Sequence, residues 1–561
     1  MTQIPSFRRD TIKVTFDDEV YDVNRGICLD DFLRAHGGCD EQKYLAAVVN
    51  NRLYGRSYSL KSDCHVEPIT RNDRLGWDVY RRSACLMLYE AARRVDAALH
   101  LVLSQTLGDG YYFYDSRNDT IDPEVVSALQ REMEKLTTED IPFEVTSMSV
   151  IEARRLFSET GYAGKVHLLS THWEPKVRVV WCGRFFDLFH SPVVYSTGAV
   201  RHYKLAPYSS GFVLRFPRRG KPEVKGDLYP QPKLFSTYQE TRHWNRILGV
   251  YNLGDLNRLS LTAGMEEVVR AAEGFHEKKI VWIADEISRR RKHLRLVLIA
   301  GPSASGKTTF SKRLGVQLRV NGIRPVSLSI DDFFVEREKT PRDAQGDYDF
   351  ESIEAINLDL LGEVLSELLS GREVLTPVFD FHAGRPKRKE LWRPMRLEKD
   401  QVLVMEGIHG LNEKLTAAVP AAAKYKIYIS ALTQLCIDDH NRIFTSDTRL
   451  VRRLVRDRRY RGYSAAETLK RWPSVRRGEN RNIFPFQEQA DVMFNSALVY
   501  EHAVLKPYAE RYLLEVDQND PCFVQTYRLF RFLRLILPLF RDVVPPNSIL
   551  REFVGESVFE Y

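Results

Sequence analysis

Short alternating runs dominate the first seventy residues. In TIKVTFDDEVYDV the apolar residues Ile12, Val14 and Phe16 alternate with polar ones, Asp17 and Asp18 offer a turn, and a second extended run follows, which predicts a hairpin. CLDDFLRAHGG predicts a short helix closed by Gly37 and Gly38, and YLAAVVNNRLYG sets an Asn50-Asn51 turn between two apolar strands. From Gly76 the pattern changes. GWDVYRRSACLMLYEAARRVDAALHLVL reads as a helix followed by a strand, GDGYYFYD as a turn and an aromatic strand, and KVRVVWCGRFFDLFHSPVVYSTG as the most strand-like piece of a mixed region. A stretch rich in helix formers, residues 265–294, then leads into RLVLIAGPS. From there short apolar strands alternate with helical patterns to about residue 510, the signature of βαβ units on a largely parallel sheet. Near the end, YRLFRFLRLILPLF spaces Arg528, Arg531 and Arg534 by three, which predicts an amphipathic helix docked on the core, with a membrane-surface helix as the alternative. The expected organisation is an α/β chain: a small β module over 1–70, an α+β region over 71–240, a helical connector over 241–290, a parallel-sheet domain over 291–510 and a helical extension over 511–561.

Composition narrows this little. With 561 residues, 43% hydrophobic, 28% charged and a net charge of +7, the chain is ordinary globular protein, and the basic excess is too small to argue for nucleic acid by itself. The seven cysteines are scattered and never spaced CxxC, which fits a reducing compartment and no zinc framework. The N-terminus lacks the apolar core of a signal peptide and no run is long enough to span a bilayer. A cytoplasmic protein without a membrane partner is expected.

The chemistry concentrates after residue 300. Gly301-Pro302-Ser303-Ala304-Ser305-Gly306-Lys307-Thr308 fits GxxxxGK[ST], follows the apolar run LVLIA and precedes a helical pattern that begins with Thr308 and Thr309. Such a loop turns backbone N–H groups and a helix N-terminus toward phosphates, while Lys307 reaches the outer phosphates and the Thr308 hydroxyl can bind Mg²⁺. VSLSIDDFF then reads as a strand ending in Asp331-Asp332, placing a carboxylate at the sheet edge where it can orient an alcohol and accept its proton. On strand periodicity Asp332 should face the opposite way. QVLVMEGIHGL delivers Glu406 to the same edge, either as a partner of Mg²⁺ or as a solvated strand-end carboxylate. TRLVRRLVRDRRYRG carries seven arginines in a helical pattern. It reads as a lid over phosphates, with a solvated face or a nucleic-acid patch as the alternatives.

With these elements in order, the C-terminal half resembles the uridine kinase and phosphoribulokinase family of P-loop kinases, through GPSASGKTT, LSIDDFF, YDFES, LTPVFDF, VMEGI and RLVRRLVRD. The resemblance implies a P-loop kinase fold using ATP and Mg²⁺, with Asp331 as catalytic base, Lys307 and Thr308 as phosphate and metal ligands, Glu406 beside the metal, and Arg453 and Arg456 as lid contacts. In that family a YDF turn followed three residues later by His reads the pyrimidine. This chain has Phe379-Asp380-Phe381, then His382, with Gly384 at the matching position, and Phe334 stands where the family has Tyr. Phe334, Phe379, Phe381 and His382 are thus the candidate acceptor contacts, and the acceptor is expected to be a nucleoside or another alcohol.

The front half resembles the N-terminal region of threonyl-tRNA synthetases, with residues 11 to 70 similar to the β-grasp module and the region after Gly76 to the editing domain. The positions of that family's editing centre are Arg82, Leu86, Phe189 and Val193 here. The resemblance implies a fold kept without its hydrolytic centre. The combined order also resembles fused uridine kinase-like proteins. The expected partner is a nucleoside-like small molecule. RNA such as tRNA, gripped by the front half of a nucleotide-driven switch, is the main alternative, a structural scaffold is a third, and the oligomeric state, a homo-oligomer included, stays open.

Overall fold

The hairpin turn at Asn50 and Asn51 takes left-handed backbone at both positions (φ 46° and 57°), which matches the twist of the strands it joins, Tyr44–Val49 and Arg52–Gly55. The computed structural model describes residues 10–37, 43–118, 120–221, 223–342, 346, 348–380 and 383–560. Around that hairpin a five-stranded sheet runs in the order Glu19–Asn24, Thr11–Phe16, Cys64–Thr70, Tyr44–Val49, Arg52–Gly55. The first strand alternates as its sequence does, with Ile12, Val14 and Phe16 buried against the helix Leu29–His36 through Phe32 and Leu33.

The next region is built on the 22-residue helix Arg74–Val95. It packs on a four-stranded antiparallel sheet containing Leu101–Leu107 and Gly110–Asp115, and on a three-stranded sheet made of Phe143–Ser149 and the hairpin Lys176–Cys182/Phe185–Leu188. Helices Pro232–Leu248, Leu253–Ser260 and Gly264–Arg289 follow.

The C-terminal half is centred on five parallel strands in the order Arg324–Ser329, Gln401–Glu406, Leu296–Ala300, Lys424–Ser430, Val492–Asn495. The central strand LVLIA is apolar and buried at every position, as a parallel strand covered on both faces must be. Among the described residues no helix is long and apolar enough to cross a membrane. The helix near the C-terminus spans Phe523–Leu533, shorter than the pattern from Tyr527 to Phe540 predicts; it buries Thr526, Leu529 and Leu533, and Arg528 forms two 2.6 Å bonds to Asp447.

The two halves are joined by buried charge. Lys165 Nζ, fully buried, lies 2.6 Å from Asp187 and 2.7 Å from Asp438. Arg82 also pairs with Asp187, Asn441 donates to Asp187 at 3.1 Å, and His190 meets Asp438 at 3.2 Å. Burial alone would push Lys165 down and Asp187 up; their mutual attraction outweighs it, holding Lys165 above and Asp187 well below its usual value.

Candidate phosphate-loop site

The loop leaves the central strand at Gly301, where a Cβ would fall 1.9 Å from the carbonyl oxygen of Ile429 on the neighbouring strand, so only glycine fits. Ala304 (φ 58°) and Gly306 (φ 82°) turn the chain back on itself before the helix Lys307–Val320 begins. Ser303, Ala304, Ser305 and Gly306 thus form the curl, and the N–H groups of Lys307, Thr308 and Thr309 open the helix. Lys307 Nζ donates to the carbonyls of Gly301 (3.0 Å) and Pro302 (3.3 Å) across the loop, and burial lowers its pKa. The Thr308 hydroxyl donates to Glu406 at 3.1 Å. Those are hard oxygen donors side by side at the sheet edge, a set that suits Mg²⁺.

Around them carboxylates gather in low dielectric. Burial raises Glu406 to about 7, with Asp331 and Glu552 adding to the effect and Lys307 opposing it. Burial likewise raises Asp331, opposed by Lys307 and Arg461. A buried carboxyl with a raised pKa is a stronger proton acceptor than a solvated one, and a bound cation would restore its charge.

Asp331 differs in setting from its expected one. The strand ends at Ser329, whose hydroxyl oxygen accepts from the Asp331 N–H at 3.3 Å, and Ile330–Phe333 form a 3₁₀ turn. The alternation expected for Asp332 therefore does not apply. Its carboxylate instead accepts from the Phe379 N–H at 3.1 Å, tying down the segment that carries the candidate acceptor contacts. The Phe334 and Phe379 rings lie 5.8 Å apart at that place, while Phe381 and His382 lie outside the described residues.

The arginine run forms the helix Thr445–Tyr460, and it is a packed wall rather than an exposed lid, with residues 447–455 all buried. Arg449 donates to the Ser303 carbonyl at 3.0 Å and pairs with Glu479; Arg452 donates to Glu501 at 2.6 Å and reaches the Ala304 carbonyl at 3.4 Å. Arg453 donates to the Ser303 hydroxyl at 2.9 Å and to Asp457 at 3.0 Å, and Arg456 bonds Asp457 through two nitrogens. Arg456 and Arg453 still bear on the site: Arg456 contributes to lowering Lys307, and Arg453 opposes the rise of Glu351.

Several groups here escaped the sequence reading. Glu479 accepts from the Ser303 N–H at 3.1 Å, and Glu351, raised by burial to about 7, lies in the YDFES stretch without having been given a role. Glu552, on the short helix Arg551–Val554, accepts from the Thr309 hydroxyl at 2.7 Å and from its N–H at 3.4 Å. Beside it Ile549 lies over Gly306, where a Cβ would come within 2.6 Å of its methyl carbon. Only the YDFES motif could have flagged any of these; Glu479 and Glu552 come from distant turns of chain with no local pattern.

In the front half, Arg82 is consumed by Asp187, Leu86 and Val193 are buried apolar residues, and the Phe189 ring carries the Arg178 guanidinium at 4.4 Å. Asp187, Asp438 and His440 do converge as a metal-like triad, but the Lys165 ammonium already sits between the two carboxylates.

Comparison with known proteins agrees with both halves. Residues 296–501 match the Phosphoribulokinase / Uridine kinase family, so the C-terminal half carries a domain of that family. The N-terminal region matches threonine–tRNA ligases: that of Thermotoga petrophila is 29% identical over 205 residues, 36% of this chain and 31% of the ligase, and that of Streptococcus pyogenes is 29% identical over 196 residues, 35% and 30%. The chain thus spans about a third of the length of these relatives. Among solved structures, a possible uridine kinase from Bacillus stearothermophilus covers 27% of this chain and 79% of its own (24% identity, TM-score 0.23). D-glycerate 3-kinase from Cryptococcus neoformans covers 48% and 89% (14% identity, TM-score 0.20).

Proposed function

We propose that this chain is an ATP- and Mg²⁺-dependent kinase that transfers a phosphoryl group to the hydroxyl of a nucleoside-like or sugar-like acceptor. The observation that carries the reading is the convergence of Lys307, the Thr308–Glu406 pair and Asp331 at one edge of the parallel sheet, where Lys307 and Asp331 each shift the other's titration. In this reading the loop from Gly301 to Thr309 holds the phosphates, Lys307 neutralises charge on the transferring group, Thr308 and Glu406 hold the metal, and Asp331 takes the acceptor's proton. Arg453 and Arg456 brace the phosphate end, joined by Arg461, which opposes the rise of Asp331. The acceptor binds beside Phe334 and Phe379.

An RNA-driven switch finds less support at the arginine helix. Arg449, Arg452 and Arg453 are spent on Glu479, Glu501, Asp457 and the phosphate loop, which leaves few of them to grip a nucleic-acid backbone.

The test is ADP release from ATP across a panel of nucleosides and sugar alcohols, with Asp331→Asn beside the parent. An acceptor-dependent rate that falls by about two orders of magnitude in the variant, with ATP binding retained, is expected. ADP release that ignores every acceptor, or an unchanged rate in Asp331→Asn, would sink the reading.

A further inference from the structure

A cavity of about 210 Å³ lies where the front half, the hairpin Cys436–Asp438/Asn441–Arg442 and the helix Phe523–Leu533 meet. The phosphate-transfer reading makes no use of it. Its walls are largely apolar and aromatic, with Leu75, Tyr111, Phe444 and Phe532 among them. Both carboxylates in its lining are already matched: Asp78 pairs with Arg81, and Asp447 with Arg528. Two guanidiniums in the lining are not. Arg442, 7% exposed, reaches the Thr106 hydroxyl and lies over the adjacent rings of Tyr111 and Phe444 at 5.5 and 5.1 Å, and its Nε has no hydrogen-bond partner among the described residues. Arg531 lies over the Tyr527 ring at 5.9 Å and has no carboxylate partner among the described residues.

An unmatched guanidinium donor in an apolar cavity is costly, and guanidinium forks favour oxyanions over any other partner. The volume holds about seven waters at ~30 Å³ each, or one ring bearing one charged group. We propose that this cavity is a binding site for a small organic anion, an aromatic or branched apolar body carrying a single carboxylate or phosphate held by Arg442 and Arg531. The site is coupled to the phosphate loop by one rigid element. Phe444 and Asp447 line the cavity at the start of the helix Thr445–Tyr460, and Arg453, six residues and about 9 Å further along it, bonds Ser303. A ligand packed against Phe444 and Asp447 holds this helix where Arg453 bonds Ser303, and so tightens nucleotide binding. Anion binding stands independently of the kinase reading; the coupling rests on it.

The test uses the full chain, titrated calorimetrically with phenyl phosphate, benzoate and the neutral benzyl alcohol. One of the two anions should bind one per chain with a dissociation constant on the order of 1 mM or tighter, and benzyl alcohol roughly tenfold more weakly. The anion that binds identifies the charged group. Arg531→Gln should weaken the binding about tenfold. Leu75→Trp, which fills the cavity, should abolish it, with both variants melting like the parent. No saturable binding of either anion, equal binding of benzyl alcohol, or binding that survives both variants overturns the site. With the anion saturating, MgATP should bind several-fold more tightly; an unchanged or weaker affinity overturns the coupling. If MgATP does not bind at all, the nucleotide reading falls, while the anion site is still decided by the first titrations.

Discussion

Replacing Glu552 by Gln should tighten nucleotide binding. Its carboxylate takes the hydroxyl and N–H of Thr309 at 2.7 and 3.4 Å, two donors in the first helical turn that a nucleotide phosphate would otherwise use. The nucleotide must displace it, yet the carboxylate cannot go far, because its neighbours Leu550, Phe553 and Val554 are fully buried. Two unit charges about 8 Å apart at an effective dielectric constant near 20 repel by about 2 kcal/mol. Glu552 is half-buried, and solvent and counterions remove roughly half of that, leaving about 1 kcal/mol, a fivefold change in dissociation constant. Glutamine keeps the size and one acceptor oxygen and loses only the charge. Calorimetric titration of MgATP into parent and Glu552→Gln checks this, and repeating it across a salt series should show the ratio shrinking as screening grows. An equal or weaker affinity in the variant would refute the reasoning and place Glu552 outside the phosphates or on the nucleotide's own hydroxyls.

Other expectations follow from the same geometry. Asp332→Asn should raise KM for the acceptor several-fold with little change in the ATP constant, because Asp332 holds the Phe379 N–H; acceptor kinetics with a silent variant would contradict this. Glu351 and Glu406 are raised by burial to about 7, so between the ordinary carboxylate value and pH 7 the folded chain holds protons that the unfolded chain has lost, and the ligand-free protein should lose stability as pH rises through that window and level off above it. Glu351→Gln should flatten the slope of melting temperature against pH and melt higher than the parent at pH 8; an unchanged slope would argue against it. Lys165→Met should cost about 3–5 kcal/mol in denaturant unfolding, since Asp187 and Asp438 would be left buried with less counter-charge. A loss under about 1 kcal/mol would show that water reaches the cluster.

What could be read in advance was what is local. The Asn50-Asn51 hairpin, the alternation of Thr11–Phe16 and the curl before Lys307 each depend on a few neighbouring residues, and the structure has them where the pattern sets them. Asp331 was legible as a carboxylate beyond a strand, but its orientation was not. The Ser329 hydroxyl accepting from Asp331 N–H converts the strand end into a 3₁₀ turn, and strand alternation stops applying there. The arginine run was legible as a helix and was read as a lid over phosphates, but the sequence concealed that Arg449 and Arg452 are buried in ion pairs, because their partners Glu479 and Glu501 are 30 and 49 residues away. Glu552, 243 residues from Thr309, had no local signal at all.

The buried charge between the halves also bears on how this chain can be handled as pieces. A cut within the helices that join the two regions would leave Lys165 and Arg82 with Asp187 alone on one fragment, and Asp438 with its neighbour Asp439 on the other. Each fragment would then carry an uncancelled charge of opposite sign on a surface built to be dry, which is costly to fold around and prone to attract wrong partners. Domain-by-domain expression, routine for many two-part proteins, is therefore the wrong strategy here: the C-terminal half should be purified with its front half attached, and a recombinant swap of front halves would have to carry Lys165, Asp187 and Asp438 across as one matched set.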